Sequence, residues 1–113
     1  MLIDLPIKTV STLNTREHFR VAAKRKALHR AIVKRHMASI PRPSLPVVVC
    51  LTRHSSGTLD AHDNLPSAFK HIVDELADWL GIDDADPRVR WTYEQEKCKR
   101  GLTWVTVETL EVA

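Results

Sequence analysis

The stretch Leu45-Pro46-Val47-Val48-Val49-Cys50-Leu51-Thr52 limits the folds open to this chain more than any other. From Val47 to Thr52 it is apolar and largely β-branched without a break, the pattern of a central strand covered on both faces. Pro41-Arg42-Pro43-Ser44-Leu45-Pro46 leads into it as a stiff connector, because each proline fixes φ and removes a backbone donor. A chain with a strand of this kind at its middle must build a sheet around it.

The flanking segments supply the rest. Leu2-Ile3-Asp4-Leu5-Pro6-Ile7 alternates and then meets a proline, which predicts a short edge strand. Asn14-Thr15-Arg16-Glu17 has the N-cap and N3 acceptor of a capping box, opening a long helix to about Met37. Phe19, Ala22, Ala23, Ala27, Ala31 and Val33 recur at helical spacing, a narrow face of small residues that would let the helix lie close to the sheet. After the loop Arg53-His54-Ser55-Ser56-Gly57, Asp63 is placed to cap a second helix, with Pro66 tolerated in its first turn. Leu65, Phe69, Ile72, Val73, Leu76 and Leu80 form its buried face and Gly81 ends it. Val89, Trp91 and Tyr93 share one face of a later strand, opposite Arg88, Arg90 and Thr92. Lys97 to Gly101 reads as a hairpin turn, with Leu102 to Val112 as the return strand. The expected fold class is α+β: one domain over residues 1–113, with a four-stranded mixed sheet and two helices in the order β-α-β-α-β-β.

Composition removes several classes. The longest apolar run, Leu45 to Leu51, is far too short to span a bilayer, and the N-terminus lacks the features of a signal peptide. The 2 cysteines are too few for a disulfide framework or a zinc site. A cytoplasmic location is the expectation. The net charge of +3 hides a division: residues 1–59 hold 11 Lys/Arg against 2 Asp/Glu, and residues 60–113 hold 6 against 12. Arg16, Arg20, Lys24, Arg25, Lys26, Arg30, Lys34 and Arg35 all fall on the first helix, a surface suited to a polyanion or simply to solvent.

The acidic half gathers Asp60 and Asp63 before the second helix, and Asp83, Asp84 and Asp86 after it. A hard cation such as Mg²⁺ takes one or two carboxylates plus waters and phosphate oxygens. Asp63 and Asp84 can meet only if the chain folds back after Gly81, and Asp60 and Asp86 could add oxygens. With such a metal, Lys70 on the helix's polar face could offset charge on a phosphodiester under attack. Plainer roles exist for each residue. Asp63 can cap a helix, Asp83, Asp84 and Asp86 suit a turn, and Lys70 can pair with Asp74 at i,i+4. Trp91 and Trp104 are expected in the core rather than as a base-stacking platform. His18, His29 and His36, among cations, are expected at phosphates or on the plain surface.

Asp63-Asn64-Leu65, then Lys70-His71-Ile72-Val73-Asp74, then Asp83-Asp84 resembles the signature of the RusA family of Holliday-junction resolvases. That family has an Asp-x-Asp-Asn motif, a Lys and an Asp four apart on the following helix, and a terminal Asp-Asp pair. The order of elements upstream is also similar, so the resemblance spans nearly the whole chain. It implies Asp63 and Asp84 as metal ligands and as catalytic residues with Lys70, Mg²⁺ (or Mn²⁺) as cofactor, and a homodimer that nicks branched DNA. It also implies a phage or prophage source. Lys70 takes the lysine role if Pro66-Ser67-Ala68 is an extension; without one, Ser67 falls there. Ala61 stands where the family keeps its first Asp. Asp60 re-aimed by a bulge, or Asp86, would supply that oxygen; otherwise the chain is a DNA-binding relative without nuclease activity.

Overall fold

Along the chain come β1 (Leu2–Leu5), α1 (Phe19–Met37), β2 (Val47–Ser55), α2 (Asn64–Ala68), α3 (Lys70–Leu80), β3 (Val89–Lys97) and β4 (Trp104–Glu111). They are seen in a computed structural model that describes residues 1–9, 19–62 and 64–112. The strands form one mixed sheet in the spatial order β1-β4-β2-β3. β2 pairs in parallel with β3 and antiparallel with β4, and β4 pairs antiparallel with β1. The architecture is α+β, with the second expected helix divided into α2 and α3. The expected capping box at Asn14 lies outside the described residues.

β2 is central, as its composition demands, but it is covered on one face only. Val47, Val49, Leu51 and Arg53 are buried, while Val48, Cys50, Thr52 and His54 are half-buried. The unbroken apolar run therefore reflects two causes: core burial on one side, and cross-strand pairing of β-branched residues on the other. The open face is held by polar cross-strand contacts. Thr106 donates its hydroxyl to Asp4 at 2.9 Å and accepts from His54 Nε2 at 2.8 Å. Trp104 is not a core residue; it stacks on His54 with ring centroids 4.3 Å apart and planes 7° from parallel. Trp91 is half-buried on the covered face.

The expected hairpin does not form. β3 and β4 lie on opposite sides of β2, and the segment between them passes the end of β2, where the Cys98 amide donates to the Ser55 carbonyl at 3.1 Å. Gly101, at φ 89°, provides the left-handed residue in that connection. In the observed order both edges of β2, the most apolar strand, are paired.

The two long helices are built differently. α3 buries Ile72, Val73, Leu76, Ala77 and Leu80 over the sheet, as its spacing predicts. It ends in a Schellman motif: Gly81, at φ 76°, donates to the Asp78 carbonyl, and Ile82 donates to the Ala77 carbonyl. α2 and α3 meet at fully buried Phe69, whose amide bonds to the Pro66 carbonyl and whose carbonyl accepts from Val73. α1 packs on α3 and meets the sheet at β1, and its Val33 and Met37 join the same core as the strands. Its buried stripe is His29, Val33 and Met37, with Ala22, Arg25, Ile32 and His36 half-buried beside it. Ala23, Ala27, Ala31 and Phe19 are exposed, so the face of small residues points outward.

Candidate active site at the ends of α3

The loop entering α2 is organised by Asp60. Its Oδ1 accepts the His62 amide at 3.0 Å, and its Oδ2 accepts the Asn64 amide at 3.3 Å and the Asn64 side-chain amide at 2.8 Å. Its carbonyl accepts the Leu65 amide at 2.9 Å. Asp60 thus satisfies orphan donors at the start of a helix, the work expected of Asp63. Asp63 itself lies outside the described residues. Gln95 on β3 brackets Leu59 through both of its amide atoms, fixing this loop against the sheet edge.

The chain does fold back after Gly81, and it brings two distant sequence segments together. Pro66, Ser67, Lys70, Val73, Asp74, Asp84 and Tyr93 line one cavity of about 300 Å³. A neighbouring cavity of about 210 Å³ is lined by Arg30, Asp74, Ala77, Asp78, Ile82, Asp83 and Asp84. Asp74 and Asp84 belong to both, so an acidic trough crosses the helix, with Lys70 and Tyr93 at one end and Arg30 at the other. Ser67 and Lys70, the two alternatives for the lysine position, border the same space. Trp91 anchors the returning segment by donating its indole N–H to the Asp84 carbonyl at 2.9 Å.

The three acidic residues beyond α3 are electrostatically distinct. The Asp83 carboxylate hydrogen-bonds to the Asp84 carboxyl, which lifts Asp84 above the ordinary carboxyl range, and the charges of Asp83 and Asp74 add to the effect. Asp83 is shifted down, first by the Ala85 amide that donates to its Oδ1 at 2.9 Å and then by its bond with Asp84. Asp86 is held down at about 2 because Arg88 donates to both of its oxygens. The carboxylates of Asp60 and Asp86 are therefore already engaged, while Asp84, raised by its neighbour Asp83, faces the trough. Among the described residues no group of three His, Cys, Asp or Glu side chains is placed to hold a metal ion.

The cations of α1 divide into two sets. Arg20, Lys24, Lys26, Lys34 and Arg35 are exposed along the helix, with the Arg20 guanidinium 5.8 Å from the Phe19 ring centroid. Arg25 and Arg30 are half-buried, and Arg30 bridges to α3 through Glu75 at 3.3 Å and through Asp78. Arg16 lies outside the described residues. His18 lies outside the described residues, and His29 departs from its expected surface position. His36 donates from Nδ1 to the Ile32 carbonyl at 2.9 Å. His29 is only 4% exposed and meets His71 of α3 edge-on, with ring centroids 6.3 Å apart. The Nδ1 atoms of both rings are buried without a hydrogen-bond partner. Both rings are pushed toward the neutral form, chiefly by burial; His71 and Arg25 add to this for His29, and Lys26, Lys70 and Arg25 for His71.

Sequence reasoning gave Tyr93 no role at the site. Its alternation places it on the covered face of β3, but only the parallel pairing with β2 sets that strand against α2 and beside the trough. Burial and the Asp84 charge raise its phenol. The signal for His29 was present in its spacing, four residues before Val33 and eight before Met37, which is the buried stripe of α1. No family model matches this chain, and no curated protein matches it either.

Proposed function

We propose that this chain is a Mg²⁺-dependent, structure-selective endonuclease of RusA type, acting on branched DNA as a homodimer in the cytoplasm. The observation that carries the reading is the meeting of Lys70, Asp74 and Asp84 in one trough, on the helix against which the cationic α1 packs. Adjacent carboxylates suit a hard dication, which needs only one or two of them besides water and phosphate oxygens. Asp84 and Asp83 would hold it, joined by Asp63 on the family resemblance, and bound Mg²⁺ eases loss of a proton from an attacking water. Lys70 supplies positive charge to the phosphate oxygens as negative charge builds on them. The exposed cations of α1 hold backbone phosphates and position the DNA without reading its sequence.

One observation favours a second reading, a DNA-binding relative that does not cut. Ala61 offers no carboxylate, and the oxygens of Asp60 and Asp86 are taken up by the loop amides and by Arg88. A synthetic four-way junction incubated with the protein, with and without Mg²⁺ and over a salt series, separates the two. The nuclease reading requires nicking that depends on Mg²⁺, together with binding that weakens steeply as salt rises. Salt-sensitive binding with no nick in any metal condition selects the second reading, and binding flat across the salt series removes DNA from both.

A further inference from the structure

Among the described residues β3 pairs with β2 alone, which leaves one side of a nine-residue strand without a strand partner. An edge of this length offers a row of backbone donors and acceptors to any chain that can match it. The phase of the ladder fixes which groups point outward. The Val47 amide donates to the Arg88 carbonyl at 2.9 Å. In a parallel ladder this turns the backbone of Arg88, Arg90, Thr92 and Glu94 toward β2, and the backbone of Trp91, Tyr93 and Gln95 away from it.

The charges along the same edge are self-complementary about Thr92. Arg90 lies two residues before it and Glu94 two residues after it, on the open face of the sheet. Both are exposed, and neither forms an ion pair among the described residues. We infer that β3 pairs antiparallel with β3 of a second copy of this chain, across a two-fold axis opposite Thr92. The inference rests on the homodimer part of the reading above and not on its nuclease part.

In this register Arg90 of each copy faces Glu94 of the other on the open face, and Trp91 faces Tyr93 on the covered face. Trp91 and Tyr93 are the residues whose backbones point outward, so they form hydrogen-bonded pairs, and Thr92 meets Thr92 in the closely spaced, non-bonded position. Neighbouring registers are poorer. Centring on Trp91 sets Arg90 against Thr92, and centring on Glu94 opposes that carboxylate to itself. A two-fold contact of this kind closes on itself and stops at two copies. It also has a consequence for the site. Tyr93 lines the trough with Lys70 and Asp84, so the second copy brings its own Trp91 alongside, and two troughs lie near one axis.

The test is sedimentation of the protein at tens of micromolar, with charge reversals and one engineered cysteine. The native protein sediments as a dimer. Arg90→Glu alone and Glu94→Arg alone each weaken the dimer by about tenfold or more, because two cross-strand pairs change sign, and the double reversal restores it. Thr92→Cys is made together with Cys50→Ser, because Cys50 is the β2 neighbour of Thr92 and would otherwise capture the new thiol. Oxidation then yields a disulfide-linked dimer, since the closely spaced antiparallel position lies within disulfide reach. A native protein that sediments as a monomer overturns both the dimer and the edge. A dimer that ignores either charge reversal, or forms no cross-link at position 92, overturns the edge and leaves the dimer in place.

Discussion

The two long helices are in contact with each other and held by different physics. α3 spreads five buried apolar residues over the sheet, while α1 buries two apolar residues and a histidine and adds an ion-pair clamp. A helix seated by apolar area keeps its position whatever the solvent, so α3 can carry Lys70 and Asp74 at the trough without relying on them for its own stability. A helix seated by a neutral imidazole and an arginine depends on pH and salt. The pair teaches that the cationic element and the acidic site stand on one rigid element and one adjustable one.

The comparison breaks first at the core. Leu76→Ala, at a fully buried position on α3, is expected to destabilise the protein by about 2–5 kcal/mol in denaturant unfolding. Val33→Ala, equally buried on α1, removes less side chain and should cost about 1–2 kcal/mol. Equal losses at the two positions would mean that α1 is seated as firmly as α3.

Acid should loosen α1 before α3. His29 and His71 have lowered pKa values in the folded protein, chiefly through burial, so below about pH 6.5 the unfolded chain binds protons that the folded one refuses. Their contribution is complete above that pH and is lost as pH falls toward the folded values, with a slope of at most about 1.4 kcal/mol per pH unit for each ring. Asp74 opposes the shift at His71 and the Lys8 backbone opposes it at His29. Corrected for the intrinsic exchange rate at each pH, α1 amides should therefore lose more protection between pH 7 and pH 5 than α3 amides, and His71→Gln should flatten the difference. Equal change in both helices would contradict the pairing described for His29 and His71.

Arg30→Ala should cost about 0.5–1 kcal/mol, because Asp78 is exposed and only Glu75 is well shielded, and the loss should shrink in high salt. Arg88→Ala has the smallest expected effect. The Asp86 carboxyl, held at about 2, should return toward its ordinary value in an NMR titration, with the remaining core unmoved.

How much of this was legible in the chain depends on the range of the interaction. The apolar period of α3 and its Gly81 ending were plain, because an amphipathic helix on a sheet writes its face into local spacing. The same reasoning misplaced the face of α1, since alanines at helical spacing look like a stripe whether they point in or out. His29 holds the buried position instead, in step with Val33 and Met37. The hairpin failed because pairing is non-local: nothing between Lys97 and Gly101 says that the strand must cross to the far side of β2. The carboxylates were visible as residues, but their division was not. Asp60 serves the helix entrance, Asp86 serves Arg88, and Asp84 reaches the trough, which only the fold-back after Gly81 decides.

The central claim is that the trough containing Lys70 and Asp84 is where a phosphodiester is cut. Single-turnover cleavage of a four-way junction in Mg²⁺ tests it most directly, with the native protein set against Lys70→Ala and Asp84→Asn. The prediction is that both variants bind the junction and unfold as the native protein does, while their cleavage rates fall by roughly a hundredfold or more. Cleavage at the native rate by either variant would contradict the assignment and move the chemistry elsewhere in the molecule.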